Sequence, residues 1–134
     1  TGDYLIVDEI GYRLHEPARG EVVIFKYPKD PSKFFIKRII GLPGETVQSV
    51  NGTVVVKDAG GNERTIDESY LSQMSKDTFS ITLTNEEYFV MGDNRTASLD
   101  SRIWGALPRD FIVGRALARL FPLSEISVWP GRAQ

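Results

Sequence analysis

Apolar residues in this chain alternate with polar ones far more than they recur at helical spacing, and that habit restricts the fold most. A period of two sends successive side chains to opposite faces of a strand. Glu21-Val22-Val23-Ile24-Phe25-Lys26-Tyr27 reads as one strand, stopped by Pro28, Asp30 and Pro31. Phe34 to Ile40 reads as the next, ended by Gly41-Leu42-Pro43-Gly44. Tyr4-Leu5-Ile6-Val7, Glu87 to Met91 and Phe111 to Phe121 supply further strands. Asn51-Gly52, between two Val-containing stretches, marks a hairpin with a type I′ turn, and Asp58-Ala59-Gly60-Gly61-Asn62 a second turn. Residues 66–78 are polar and read as a loop or a short helical turn. No segment reads as a helix of about 12 residues or more; Ala116 to Leu123 is the nearest, and weak, case. The expected class is mainly β: curved antiparallel sheets with little helix.

With 134 residues, no internal repeat and no long linker, the chain reads as one domain. It has no cysteine, which excludes a thiol nucleophile and cysteine-based metal sites. A net charge of −2 argues against nucleic acid as the main partner. No apolar run reaches the roughly 18 residues that a membrane span needs. The one histidine, His15, lies in a polar, Pro-bounded turn and reads as a surface residue.

Two stretches carry chemistry. On the strand Phe34–Ile40, Phe35, Lys37 and Ile39 share one face, and Phe34, Ile36, Arg38 and Ile40 the other. Each face holds one cation among apolar neighbours. Such a cation usually lays its stem on the apolar surface and keeps its charge in water. The sharper alternative is a desolvated lysine, whose pKa falls from ~10.4 because burial disfavours the ammonium. A neutral amine can then serve as a general base near neutral pH. The second stretch is Met91-Gly92-Asp93-Asn94-Arg95, then Ser98-Leu99-Asp100-Ser101-Arg102 and Trp104-Gly105. As a pattern it is a polar loop after a strand, with Asp100 placed to pair with Arg102 or Arg95. Loops of this kind commonly do no more than fasten sheets together.

Taken in order, Arg19-Gly20-Glu21-Val22-Val23-Ile24-Phe25, Phe35-Ile36-Lys37-Arg38-Ile39-Ile40-Gly41-Leu42-Pro43-Gly44-Glu45 and the Gly92–Gly105 stretch resemble the motif boxes of the type I signal peptidases. These are membrane-anchored serine proteases with a Ser–Lys dyad. Gly2-Asp3-Tyr4-Leu5-Ile6-Val7 resembles the tail of the family's nucleophile box. The middle of the chain, about residues 48–85, matches only as a β-hairpin insertion, short as in compact bacterial members. The resemblance implies that Lys37 is the general base and that Ser98 orients it. It implies a supporting ion pair of Asp100 with Arg102, and a loop frame that includes Gly92, Asp93, Asn94, Ser101, Trp104 and Gly105. It implies no metal and no cofactor. Thr96-Ala97 stands where the family often has Asp-Asn, which removes a charge that could tune the lysine. Glu45 replaces a frequent Asp.

The same resemblance places the family's nucleophilic serine a few residues before the Gly-Asp seen here as Gly2-Asp3, and a transmembrane anchor before that. The 134 residues are therefore expected to be a catalytic domain truncated at its N-terminus, inactive as it stands. The implied substrates are signal peptides of exported preproteins, cut after small residues at the first and third positions before the bond. The extended peptide would pair with an edge strand over shallow apolar pockets. Leu5, Ile24, Phe34, Phe35 and Ile36 match positions expected to line those pockets, although apolar strand residues equally read as core. The implied location is the cytoplasmic membrane, with the catalytic domain on the extracytoplasmic face and touching the membrane surface; Trp129 and Phe121 are the candidate contacts. Two rivals stand beside this reading. One is a self-cleaving SOS-repressor-like Ser–Lys domain; the other is a β-rich binding module without catalysis, for which a buried Lys37 would have no use.

Overall fold

In the computed structural model, residues 16–68 and 76–116 are described. The expected strand Tyr4–Val7, with Leu5, lies outside them, as do His15 and every residue after Ala116, Phe121 and Trp129 included. Among the described residues the strands are β1 (Val22–Tyr27), β2 (Asp30–Gly41), β3 (Thr46–Val50), β4 (Thr53–Lys57), β5 (Glu63–Thr65), β6 (Phe79–Thr82), β7 (Glu87–Met91), β8 (Leu107–Pro108) and β9 (Ile112–Arg115). One turn of helix, α1 (Ser101–Trp104), and a 3-10 turn at Arg109–Phe111 complete the set. The strands form a five-stranded sheet in the order β8-β7-β2-β1-β9 and a four-stranded sheet in the order β5-β4-β3-β6, every pairing antiparallel. The mainly β class holds.

Pro28 and Lys29 alone separate β1 from β2, and Tyr27 pairs with Asp30. The next pair is Lys26 with Phe34, so Pro31, Ser32 and Lys33 bulge out of the ladder without a partner on β1. A proline has no N–H to donate and is tolerated at such a bulge. The strand thus begins four residues before Phe34, the start that alternation suggested. The Asn51-Gly52 turn is as expected: Val50 pairs with Thr53, and both turn residues have positive φ (53° and 92°), the conformation a type I′ turn requires. The hairpin is not isolated, because β5 and β6 pair to its two edges. At the far end, Phe111 lies in the 3-10 turn and not in a strand, since the chain bends there before β9.

The alternation on β2 sorts two cores. Phe35 and Ile39 pack with Val23, Phe25, Tyr88, Val90, Trp104 and Leu107 on one face of the large sheet. Ile40, Phe89 and Met91, from the other face, pack with Val47, Val54, Val56 and Leu83 and so join the small sheet to the large one. Burying each large apolar side chain stabilises the fold by about 1.5–3 kcal/mol. Close approach of the sheets depends on Gly41, where a Cβ would lie 2.5 Å from Val47 Cγ2 and 3.0 Å from Phe89 Cβ. A bidentate pair fixes the corner between β2 and β3: Arg19 donates two bonds of 2.7 Å to Glu45, whose Oε1 also accepts the Leu42 N–H.

Candidate active site

Register decides where the two cations of β2 go. Val23 of β1 pairs with Lys37, so Lys37 faces the core that holds Val23 and Phe35. Arg38 faces the other way. It reaches Asp93 through two hydrogen bonds (3.0 and 2.8 Å) and the Gly20 carbonyl at 3.0 Å, and is part-exposed. Arg38 is therefore the outward cation, and Lys37 is the desolvated one, only 2% exposed.

The Lys37 amine meets the loop that follows β7. Its Nζ donates to Ser98 Oγ at 2.9 Å, a contact between residues 61 apart in sequence. Among the described residues it forms no ion pair. The Phe35 ring centroid is 5.8 Å from Nζ. Burial lowers the lysine's pKa from 10.5 to about 8; Asp100 and Asp93 oppose the fall, and Arg102 adds to it. A substantial neutral fraction is thus available at mildly alkaline pH, which is the condition for a general base.

The loop is built to bring Ser98 this close. Gly92 directly follows β7, and a Cβ there would fall 1.9 Å from Ser98 Oγ and 3.4 Å from Lys37 Nζ. The glycine is required by space, not by its backbone angles. Its N–H donates to Asp100 Oδ2 at 2.8 Å. Asp100, fully buried, also caps α1 through the Arg102 N–H and takes two hydrogen bonds of 2.8 Å from the Arg102 guanidinium. One carboxylate thus ends the strand, starts the helix and fixes the loop between them. Ser101 Oγ accepts the Val90 N–H at 3.0 Å, a second tie from the loop to β7. Asn94 is exposed and closes a local turn, its carbonyl accepting the Ala97 N–H. Thr96 and Ala97 are exposed as well.

Of the apolar residues proposed as pocket lining, Phe35 is in the core, stacked on Tyr27 with ring centroids 4.4 Å apart. Ile24 and Ile36 are cross-strand partners on the opposite face. Both are buried, but neither belongs to the two clusters above. Phe34 is half-buried beside them.

Sequence reasoning missed two carboxylates. Arg95 does not pair with Asp100. It is 3% exposed, donates to the Gly92 carbonyl at 2.9 Å, and forms an ion pair with Glu68. Arg102 in turn reaches Asp77. Nothing in the polar stretch around Glu68 and Asp77 distinguishes them from surface charges; only the tertiary fold does.

Fold and site together define a mainly β protein with a buried lysine held against a serine hydroxyl. Comparison with known proteins agrees with the mainly β fold. A model of the family described as "Signal peptidase, peptidase S26" matches residues 1–121, and the chain belongs to this family. Curated relatives include a probable signal peptidase I-2 of Synechocystis, 39% identical over 94% of the chain and 58% of the relative. Another is a signal peptidase I of Leptolyngbya laminosa, 36% identical over 94% of the chain and 64% of the relative. The chain therefore spans about three fifths of the length of these relatives. The crystal structure of a signal peptidase I from Enterococcus faecalis superposes with a TM-score of 0.66 at 27% identity, covering 77% of this chain and 98% of that one.

Proposed function

We propose that this chain forms the catalytic β domain of a serine endopeptidase that removes signal peptides from exported preproteins, with Lys37 as general base. The observation that carries the reading is the Lys37 amine, buried, without an ion pair among the described residues, and held 2.9 Å from Ser98 Oγ. A lysine kept in that state is costly unless the neutral amine is used. The family resemblance supports acyl transfer to a serine, which in this reading would belong to the nucleophile box whose tail Gly2-Asp3 resembles.

In this reading neutral Lys37 takes the proton from that serine's hydroxyl as its oxygen attacks the scissile carbonyl. The tetrahedral oxyanion is met by backbone and hydroxyl donors. Collapse breaks the C–N bond, and the Lys37 ammonium passes its proton to the leaving amine. Water then attacks the acyl-enzyme, giving its proton to Lys37, which returns it to the serine oxygen. Ser98 orients the amine throughout. Ile24, Phe34, Phe35 and Ile36, with Leu5, would line the pockets for small side chains. The intact enzyme would act at the outer face of the cytoplasmic membrane, and no metal or cofactor enters any step.

The test is cleavage of a preprotein by the full-length enzyme, wild type against Lys37→Met. Loss of cleavage in the variant, together with a wild-type kcat/KM that rises with pH through an apparent pKa near 8, is expected. Retained cleavage by Lys37→Met would overturn the assignment.

A further inference from the structure

The catalytic loop is held by two carboxylates that flank the small sheet's strands, Glu68 after β5 and Asp77 before β6. Glu68 follows β5, and its carboxylate meets Arg95; the two side chains are 5% and 2% exposed. The contact is an ion pair, and Glu68 Oε2 accepts no hydrogen bond among the described residues. Arg95 Nε donates to the Gly92 carbonyl. Asp77 precedes β6, and its carboxylate binds Arg102, which holds Asp100, which accepts the Gly92 N–H. The carbonyl and the N–H of one glycine are thus each tied, through an arginine, to a carboxylate at one end of residues 68–77. Asp77 is itself anchored: its carbonyl accepts the Ser49 hydroxyl and the Gly52 N–H at the tip of the β3–β4 hairpin.

A displacement of Gly92 acts directly on the Ser98–Lys37 contact, because Ser98 packs against its Cα. We infer that Glu68 is a positioning residue of the active site, acting through Arg95 on Gly92 and hence on the Ser98–Lys37 contact, and that Asp77 does the same through Arg102. The inference rests on the proposed role of Lys37 as base and adds to it a duty for the small sheet: it holds the loop closed over the amine. The charges acting most strongly on Lys37 itself are Asp100, Arg102 and Asp93. A change at Glu68 therefore reaches the lysine through geometry. A loosened loop admits water, and a hydrated lysine returns toward its ordinary pKa.

The test follows Lys37 directly, by NMR titration of the chain labelled at lysine Cε, with the Lys37→Met spectrum to identify the signal. Glu68→Gln removes the carboxylate charge that faces the buried Arg95 guanidinium and is destabilising. The double variant Glu68→Gln/Arg95→Met, which removes both charges, is measured beside it. The expected result is a Lys37 pKa of about 8 in the wild type, rising above about 9 in the folded variants. In the full-length enzyme, kcat falls about 10-fold or more with KM unchanged. A wild-type Lys37 that titrates near its ordinary value would overturn the base assignment, and this inference with it. A depressed wild-type pKa that stays put in the double variant would overturn the inference alone.

Discussion

Replacing Lys37 by Met should make the protein more stable near neutral pH, and the gain should fade as the solution becomes alkaline. The folded-state pKa is about 8 against 10.5 for the free side chain, and burial is the cause. A difference of about 2.5 in pKa corresponds to about 3 kcal/mol that the folded wild type spends on keeping the ammonium out of water. This is the reverse of a lysine that gains a partner on folding. Between the two pKa values the unfolded chain binds more protons, so stability rises with pH. The penalty is fully present below about pH 8, shrinks to about 1.5 kcal/mol near pH 9.5, and vanishes above about 10.5. Met has a similar volume and no charge, but it leaves the Ser98 hydroxyl without its partner, at about 1 kcal/mol. The net expectation is a variant about 2 kcal/mol more stable near pH 7 and about equal to the wild type near pH 9.5. Urea unfolding of both proteins at the two pH values measures it. A difference that does not change with pH, or a variant several kcal/mol less stable near neutrality, would refute the reasoning: the ammonium would then be solvated or paired in the fold.

Three further perturbations separate site from scaffold. Gly92→Ala puts a methyl group 1.9 Å from Ser98 Oγ; we expect a loss of about 1–3 kcal/mol in thermal or urea unfolding and at least a 100-fold fall in cleavage by the full-length enzyme, since Ser98 can no longer hold the Lys37 amine in place. Gly41→Ala overpacks the junction of the two sheets against Val47 and Phe89, so a similar destabilisation of about 1–3 kcal/mol should leave the Lys37 titration unmoved. Glu45 is the acid-side counterpart of Lys37: burial raises its pKa, but hydrogen bonds from Arg19 and the Leu42 N–H outweigh that and hold it below 4.5. Its stabilising contribution is present above that value and lost as pH falls through the lower folded-state pKa, so Glu45→Gln should flatten the acid limb of a stability–pH curve measured by urea unfolding.

What the sequence disclosed depended on whether a signal was local. β7 runs over Glu87–Met91, the bounds expected from the sequence, and the Asn51-Gly52 turn carries its own backbone requirement. The extra residues of β2 were hidden because Pro31 reads as a stop, although it sits in a bulge where no N–H is wanted. α1 was hidden because a single turn is too short to display helical periodicity. Lys37 and Arg38 looked equivalent on the strand; cross-strand register, with Val23 opposite Lys37, gave one the core and the other the surface. Glu68 and Asp77 were illegible, because a carboxylate in a polar stretch reveals a buried guanidinium partner only after the sheets have met.

The distance in sequence between Lys37 and Ser98 has a consequence in time. Gly92, Ser98, Asp100 and Arg102 can find one another within a short loop, but the lysine must arrive across 61 residues. Closing a loop of that size opposes assembly by about 4 kcal/mol, which only the docking of β7 on β2 and the joining of the cores can offset. Until then Lys37 is an ordinary hydrated ammonium that cannot accept a proton at neutral pH. A nascent chain thus carries Lys37 and Ser98 before they can meet, and the lysine's pKa falls only when β7 docks on β2 and buries the amine.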